Sequence, residues 1–465
     1  MAFELYDFQQ EDVDRFIREG HKSGLFGYDM ALGKTLTATT LTVQLGTEVN
    51  LIIAPQVTFS GWDKAVETQT DGAHKLRWIK NSSKAGKDAL LDYYEGVPGW
   101  YFVTWQLMRG GALFETRADT VIADEVHEIQ NVGKSDQNLM IREINSEYRI
   151  GLSGTAAGNK QQGLFGVLNW LWPKQFKSYW GWLKENFLLA GSGYALTPIK
   201  ERWPGKVTEQ LPFYVRRLKE DHYDDMIPTP FPVQQVFLDL SKEERRIYDA
   251  FERDSGVWLD EGNEDAGFLY APYSIVKVGR LREIALGTPT MYEDDKGDYK
   301  PRFERGAKST KLNKLIEIIR SRPGESFVVY THSKKWVDFA VDGLNQAGIS
   351  ANGFTGDLNY RKKRKMIDEL GDTYQVMVAT LTAVGTGTDG LQYKSSKLVW
   401  ASRDVKVSVN TQARDRLYRP GQTEAIEQWE LVANDTKDLD TNEVLDYSEQ
   451  VVNDMLNATR IKKEK

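Results

Sequence analysis

Cysteine is absent from the chain. Its absence excludes disulfides and any thiolate zinc site, and it accords with a reducing interior. Histidine is scarce: His21, His74, His127, His222 and His332 are scattered with no metal-ligand spacing. Apolar runs stop at strand length, far short of the ~20 residues a membrane helix needs. The amino terminus shows no basic segment followed by an apolar core, so no secretory signal is read there. Short-period repeats and low-complexity tracts are lacking too. A cytoplasmic protein without a membrane role is expected. Positive charge is also in deficit, with 60 Lys and Arg against 67 Asp and Glu and a net charge of -7. That balance argues against a protein that coats nucleic acid non-specifically. A local basic groove stays open, because phosphate contacts depend on where the cations sit.

The chain does carry enough apolar material for packed cores. Its hydrophobic share is 40% and its aromatic share 11%, and 465 residues suit two or three domains. Leu51-Ile52-Ile53-Ala54, Tyr101-Phe102-Val103-Thr104, Val121-Ile122-Ala123 and Ile150-Gly151-Leu152 read as buried parallel strands. Each runs into a loop of polar or small residues, where a doubly wound sheet places its ligands. The pattern returns at Phe327–Tyr330, Val376–Ala379, Leu398–Trp400 and Ile426–Val432. Two α/β sheets in tandem are expected. Pro212, Pro228, Pro230 and Pro232 mark the boundary. The expected layout is a first lobe over 1–220, a linker over 221–235 and a second lobe over 236–442. That second lobe carries a helical insertion over about 241–308, with an acidic loop at Glu293–Asp298. A helix and basic tail fill 443–465.

Three segments carry nucleotide chemistry. Binding phosphates takes backbone N–H groups, a cation and a metal ligand in one place. Gly33-Lys34-Thr35 at a helix start supplies all three, although the strict phosphate-loop pattern wants glycine where Tyr28 stands. Asp124-Glu125 follows the strand Val121–Ala123, which puts both carboxylates at its carboxyl end. Asp124 suits Mg²⁺ and Glu125 suits the attacking water. Arg416 and Arg419 are three apart, on one face if their segment is helical. Two guanidiniums there can serve a γ-phosphate, or they can pair with Asp415 or Glu424 at the surface.

Together these segments resemble the superfamily-2 helicases, specifically the Swi/Snf-type remodelling and translocating ATPases, over nearly the whole chain. Leu5-Tyr6-Asp7-Phe8-Gln9 resembles the adenine-reading segment, and Asp29 to Thr35 resembles motif I. Ile53-Ala54-Pro55 through Trp62 resembles motif Ia, and Thr104-Trp105 motif Ib. Asp124-Glu125-Val126-His127, followed by Asn131, resembles motif II, and Ser153-Gly154-Thr155 motif III. Arg216-Arg217 resembles the paired arginines at the end of the first lobe. Gly385-Thr386-Gly387-Thr388-Asp389 resembles motif V, and Gln412 to Arg419, continuing to Gly421-Gln422, motif VI. Ala31 stands where the family usually has glycine, Val126 where it has alanine, and Asp389 where it mostly has asparagine. The compact form is similar to phage and prophage helicases, for which the location would be the host-cell cytoplasm.

The resemblance implies two RecA-like lobes, with ATP and Mg²⁺ as cofactors. It gives Gln9, Gly33, Lys34, Thr35 and Asp389 to nucleotide binding, with Thr35 and Asp124 at the metal. Catalysis falls to Lys34, Asp124, Glu125, Arg416 and Arg419, and His127, Ser153, Thr155 and Gln412 couple phosphate state to the strand-binding surface. It also implies backbone contacts to nucleic acid from Gln56, Ser60, Thr104, His332, Thr380 and Thr382. Each of these hydroxyls and amides has a plainer reading as a helix cap or loop residue. Trp105 is the stacking candidate, whereas Trp170, Trp172, Trp180 and Trp182 read as core. The basic run Arg361–Lys365 reads as a solvated helix face or a phosphate-facing helix start. The expected activity is a monomeric, DNA-stimulated ATPase that translocates on or unwinds DNA, with replication or recombination proteins as further partners. The rivals are an RNA helicase or RNA–protein remodeller, a non-catalytic nucleic-acid clamp and a small-molecule kinase.

Overall fold

The computed structural model describes residues 4–130, 136–156, 161–191, 197–203, 205–222, 227–259, 268–271, 273–293, 299–304, 306–385 and 389–457. Two compact units form, one from Met1–Tyr223 with Ser448–Lys465 and the other from Asp224–Tyr447. The carboxyl-terminal segment belongs to the first unit, where Leu456 is buried and its carbonyl accepts from the Tyr214 hydroxyl at 3.0 Å.

The first unit holds a seven-stranded sheet: β1 (Ser23–Tyr28), β2 (Val49–Ala54), β3 (Leu76–Trp78), β4 (Gly99–Thr104), β5 (Arg117–Asp124), β6 (Asn145–Leu152) and β7 (Tyr214–Arg217). Their order is β3-β4-β2-β5-β6-β1-β7, and every neighbouring pair is parallel. The second unit holds six strands: β8 (Gln234–Leu238), β9 (Phe327–Thr331), β10 (Ala351–Phe354), β11 (Val376–Thr380), β12 (Lys397–Trp400) and β13 (Glu427–Ala433). Their order is β8-β13-β12-β9-β11-β10, again all parallel. Helices flank both sheets, so the central strands are buried on both faces and read as unbroken apolar runs. These are the two tandem RecA-like lobes that the strand runs and motifs indicate. Between β8 and β9 lie helices Lys242–Asp254 and Ser274–Ile284 and two small antiparallel hairpins. The insertion is thus part helix and part hairpin.

The helix Lys34–Leu45 is an unusual local choice, since threonine is a weak helix former. Thr37, Thr39, Thr40 and Thr42 each donate their hydroxyl to the carbonyl four residues back, at 2.8–3.2 Å. Threonine hydroxyls that bond back to the helix can be buried without an outside partner. Gly33 and Gly46, both left-handed, bound the helix at its two ends.

The helix Asp7–Arg18 is fastened to the sheet by a buried polar network. Arg217 grips Asp12 bidentately, with Nε to Oδ2 at 3.0 Å and Nη2 to Oδ1 at 2.7 Å. The Tyr28 hydroxyl donates to the same Asp12 Oδ2 at 2.5 Å. Arg217 and Asp12 are 2% and 1% exposed, so removing one leaves the other as an uncompensated buried charge. Arg217→Met is therefore expected to destabilise the protein by about 3–5 kcal/mol, read by denaturant unfolding. A change below about 1 kcal/mol would show that the pair does not hold this helix.

Candidate active site

The loop leaving β1 turns sharply before the helix Lys34–Leu45. Ala31 and Gly33 both adopt left-handed backbone, with φ 68° and 76°. At Gly33 a Cβ would press on Gln9 Nε2, so any other residue would displace the Gln9 amide and strain the left-handed backbone. Gln9 is buried, and its amide ties two elements together: Nε2 donates to Leu32 O at 2.8 Å, and Oε1 accepts from Tyr6 N at 2.9 Å. Lys34 Nζ donates to the carbonyls of Tyr28 at 2.8 Å and Asp29 at 3.2 Å. Arg216 Nη1 steadies the same loop by reaching Gly27 O at 2.8 Å and Asp29 Oδ1 at 3.0 Å.

Across the sheet edge, β5 ends on Asp124. Its Oδ2 accepts from Trp62 Nε1 at 3.1 Å, and its Oδ1 accepts from the Glu125 N–H at 3.0 Å. Trp105 Nε1 donates to the Asp124 carbonyl at 2.9 Å. Burial first, and then the Glu125 charge, push the Asp124 carboxyl up to about 6, while the Lys34 charge and the Trp62 N–H oppose them. Glu125 is itself left-handed, with φ 53°, which turns its side chain out of the strand direction. Glu125 Oε2 lies 3.3 Å from His127 Nδ1, and that nitrogen lies 3.1 Å from Ser153 Oγ. Ser153 Oγ accepts from the Thr155 N–H at 3.1 Å. His127, Ser153 and Thr155, expected as coupling residues, therefore sit in one chain of contacts with Glu125. Asn131 lies outside the described residues.

The donor set suits a magnesium–triphosphate. Among the described residues no group of three or more acidic or histidine side chains gathers as a self-sufficient metal site. Mg²⁺ does not need one, because it commonly takes one or two protein oxygens and fills its shell with phosphate and water. Thr35, half-buried in the first turn of the helix, and Asp124 could supply such oxygens, and Lys34 and the helix amino terminus could take the phosphates.

The other expected contacts of this unit are spread over neighbouring strand tips. Gln56 and Ser60 are exposed beyond β2. Thr104 caps the helix Trp105–Arg109 by accepting from the Leu107 N–H at 3.2 Å. Trp105, expected to stack on bases, is only 6% exposed and lies in the core with its N–H on Asp124. Trp170 and Trp182 are buried and Trp172 half-buried, whereas Trp180 is exposed. The role of Trp62 and the amide bridge of Gln9 were not foreseen from sequence.

In the second unit, the helix Val407–Arg414 ends before Arg416 and Arg419. Both arginines lie in the turns that follow rather than on a helix face, yet each points Nη1 at Asp389 Oδ1, Arg419 in direct contact and Arg416 at 3.7 Å. Burial, and then the Arg419 charge, lower the Arg416 guanidinium to about 10. Gln412 is half-buried on the preceding helix. Arg364, from the basic run, donates to Asp389 O at 3.2 Å, and Lys363 lies over the Phe354 ring. The rest of that run is exposed on the helix Tyr360–Glu369. Residues 386–388 of the expected motif V lie outside the described residues. Thr380 is buried at the end of β11, and Thr382 is exposed. His332, just past β9, has Nδ1 at 2.7 Å from Ser402 Oγ.

Two outcomes follow for stability. Ala31 holds a left-handed backbone without glycine's freedom, at a cost of about 1–2 kcal/mol. Ala31→Gly should therefore raise the thermal midpoint by a few degrees, and a lowered midpoint would show that the loop is unstrained. Burial, with the Arg282 and Lys311 charges, lowers His332 to about 3 from the ordinary 6.5. The ring stays neutral in the fold, while the unfolded chain takes up a proton below about pH 6.5. Stability is thus full above that pH and is lost as pH falls toward 3. Between pH 7.5 and 5 the native protein should lose about 2 kcal/mol relative to His332→Gln. Parallel pH profiles from denaturant unfolding would show that the ring is solvated.

A family model described as the SNF2-related domain matches residues 8–275, more than half of the chain. Arabidopsis thaliana Protein CHROMATIN REMODELING 24 is 22% identical, over 94% of this chain and 45% of that protein. The Bacillus subtilis Putative ATP-dependent helicase/translocase YwqA is 23% identical, over 95% of this chain and 47% of that protein. The chain thus spans less than half the length of these two relatives. Among solved structures, the Sulfolobus solfataricus SWI2/SNF2 ATPase core in complex with dsDNA matches with a TM-score of 0.43 and 17% identity, over 99% of this chain and 94% of that one. The family match takes in the loop around Lys34, the Asp124 cluster and the paired arginines at β7, and on it the chain belongs to the SNF2-related domain family, the Swi/Snf-type helicase-like ATPases of superfamily 2.

Proposed function

We propose that the protein is a DNA-stimulated ATPase that works as a translocase or helicase and remodels DNA structures or DNA–protein complexes. The observation that carries this reading is the contact chain from Glu125 through His127 to Ser153. It joins the group suited to orient the attacking water to a loop on another strand. Such a link suits an enzyme whose hydrolysis is coupled to contacts made elsewhere on the sheet.

ATP takes the Lys34 ammonium, the Thr35 hydroxyl and the N–H groups of the helix start, with Mg²⁺ also held from Asp124. Gln9 has one amide hydrogen and one lone pair beyond the two bonds it makes, which suits the edge of an adenine. Arg416 and Arg419 would offset the negative charge on the γ-phosphate oxygens in the transition state. DNA rather than RNA is favoured by the names of relatives, a chromatin remodeller and a DNA excision repair protein from rice among them. Gln56, Ser60, Thr104, His332, Thr380 and Thr382 are the proposed strand contacts, and Asp389 the proposed ribose-side acid.

Lys34→Ala and Glu125→Gln should each lower stimulated ATP hydrolysis by at least about 10²-fold, with Glu125→Gln still binding nucleotide. ATPase rates with duplex DNA, single-stranded DNA and RNA separate the readings. Stimulation by RNA alone would replace this proposal with an RNA helicase, and full biological activity in both variants would replace it with a clamp. Triplex displacement against fork unwinding then tells translocation from strand separation.

A further inference from the structure

Three neighbouring strands of the first unit end close to one another. β2 lies between β4 and β5, all parallel, so the tips of β2 and β4 stand on the same side of Asp124 at the tip of β5. The β2 tip runs through the exposed Gln56 into the helix Phe59–Gln69, which carries the exposed Ser60. Trp62, two residues on, is fully buried and donates its indole N–H to Asp124 Oδ2 at 3.1 Å. The β4 tip ends at Thr104, and Trp105 beside it donates its indole N–H to Asp124 O at 2.9 Å. Each tip proposed to touch the nucleic-acid backbone thus has a tryptophan directly behind it, and both indoles end on one aspartate.

We infer that Trp62 and Trp105 are positioning residues that transmit nucleic-acid contact at the two tips to Asp124. This rests on the reading of the chain as a nucleic-acid-stimulated ATPase. An indole is rigid and has two side-chain torsions, so a shift of the helix start at Ser60 or Thr104 moves its N–H by a comparable amount. Trp62 fixes one carboxylate oxygen and Trp105 the carbonyl behind it, which together set where the other oxygen of Asp124 points. Direct phosphate contact is left to the exposed groups, and the buried indoles touch neither DNA nor nucleotide.

The test compares the native protein with Trp62→Phe and Trp105→Phe, and with Trp100→Phe as a control. Trp100 is buried near the opposite end of β4, so its loss perturbs packing without touching Asp124. Two quantities are read: the ratio of ATPase rate with and without duplex DNA, and the change in DNA affinity caused by a non-hydrolysable ATP analogue, by fluorescence anisotropy. Both should fall about tenfold in Trp62→Phe and Trp105→Phe, and neither in Trp100→Phe, while DNA affinity without nucleotide is retained. The affinity readout stands independently of hydrolysis. If the native protein is stimulated and the two variants keep its ratio and its coupling, this inference falls and the functional reading stands. Equal losses in all three variants also overturn it, because packing alone would then explain them. If no nucleic acid stimulates the native protein, the functional reading falls, and this inference with it.

Discussion

The first unit is organised around a carboxylate that is largely withdrawn from water. Asp124 sits at the end of a strand buried on both faces, and that burial raises its pKa and works against its charge. The Glu125 charge adds to this cost, and the other close neighbours answer it. Lys34 provides the opposing charge, Trp62 and the Glu125 N–H each give a hydrogen bond, and Trp105 fixes the backbone. A carboxylate kept this dry is a poor stabiliser of the fold, but it gains most from a divalent cation.

The same cost explains the geometry around it. Glu125 is turned away through a left-handed backbone, which carries its charge toward His127 rather than deeper beside Asp124. Lys34 reaches back to the carbonyls of Tyr28 and Asp29, which hold its ammonium at the start of the helix. Gln9 locks Leu32, and Arg217 locks the helix that bears Gln9, through Asp12. The chain of support runs from a buried ion pair at β7 to the phosphate loop.

Much of this was legible in the order of residues. Apolar runs of mostly three or four residues marked the strands, because strands covered on both faces need no polar alternation. Gly33-Lys34-Thr35 and Asp124-Glu125 marked the loops, because few residue types can hold phosphate and metal. What periodicity does not give is the partner of a buried polar atom. Trp105 read as a base-stacking side chain because its loop is a motif loop, yet its ring is in the core. That Trp62 and Trp105 converge on one residue depends on strand order, and β2, β4 and β5 become neighbours only once the sheet is assembled. The arginines show the reverse case. Their spacing suggested a helix face, and turns deliver both guanidiniums to one carboxylate without it.

That carboxylate belongs to Asp389, at a position where the family mostly has asparagine. Two guanidiniums side by side, one of them buried, repel each other, and the lowered Arg416 pKa reflects both effects. A neutral amide would accept a hydrogen bond but not offset the charge. With an exposed aspartate in its place, the pair has a counter-ion within its own unit. Lys34 shows the matching arrangement in the first unit, with backbone carbonyls in the same role. Lys34 and the Arg416–Arg419 pair, the cations proposed for the triphosphate, thus each meet acceptors within their own unit.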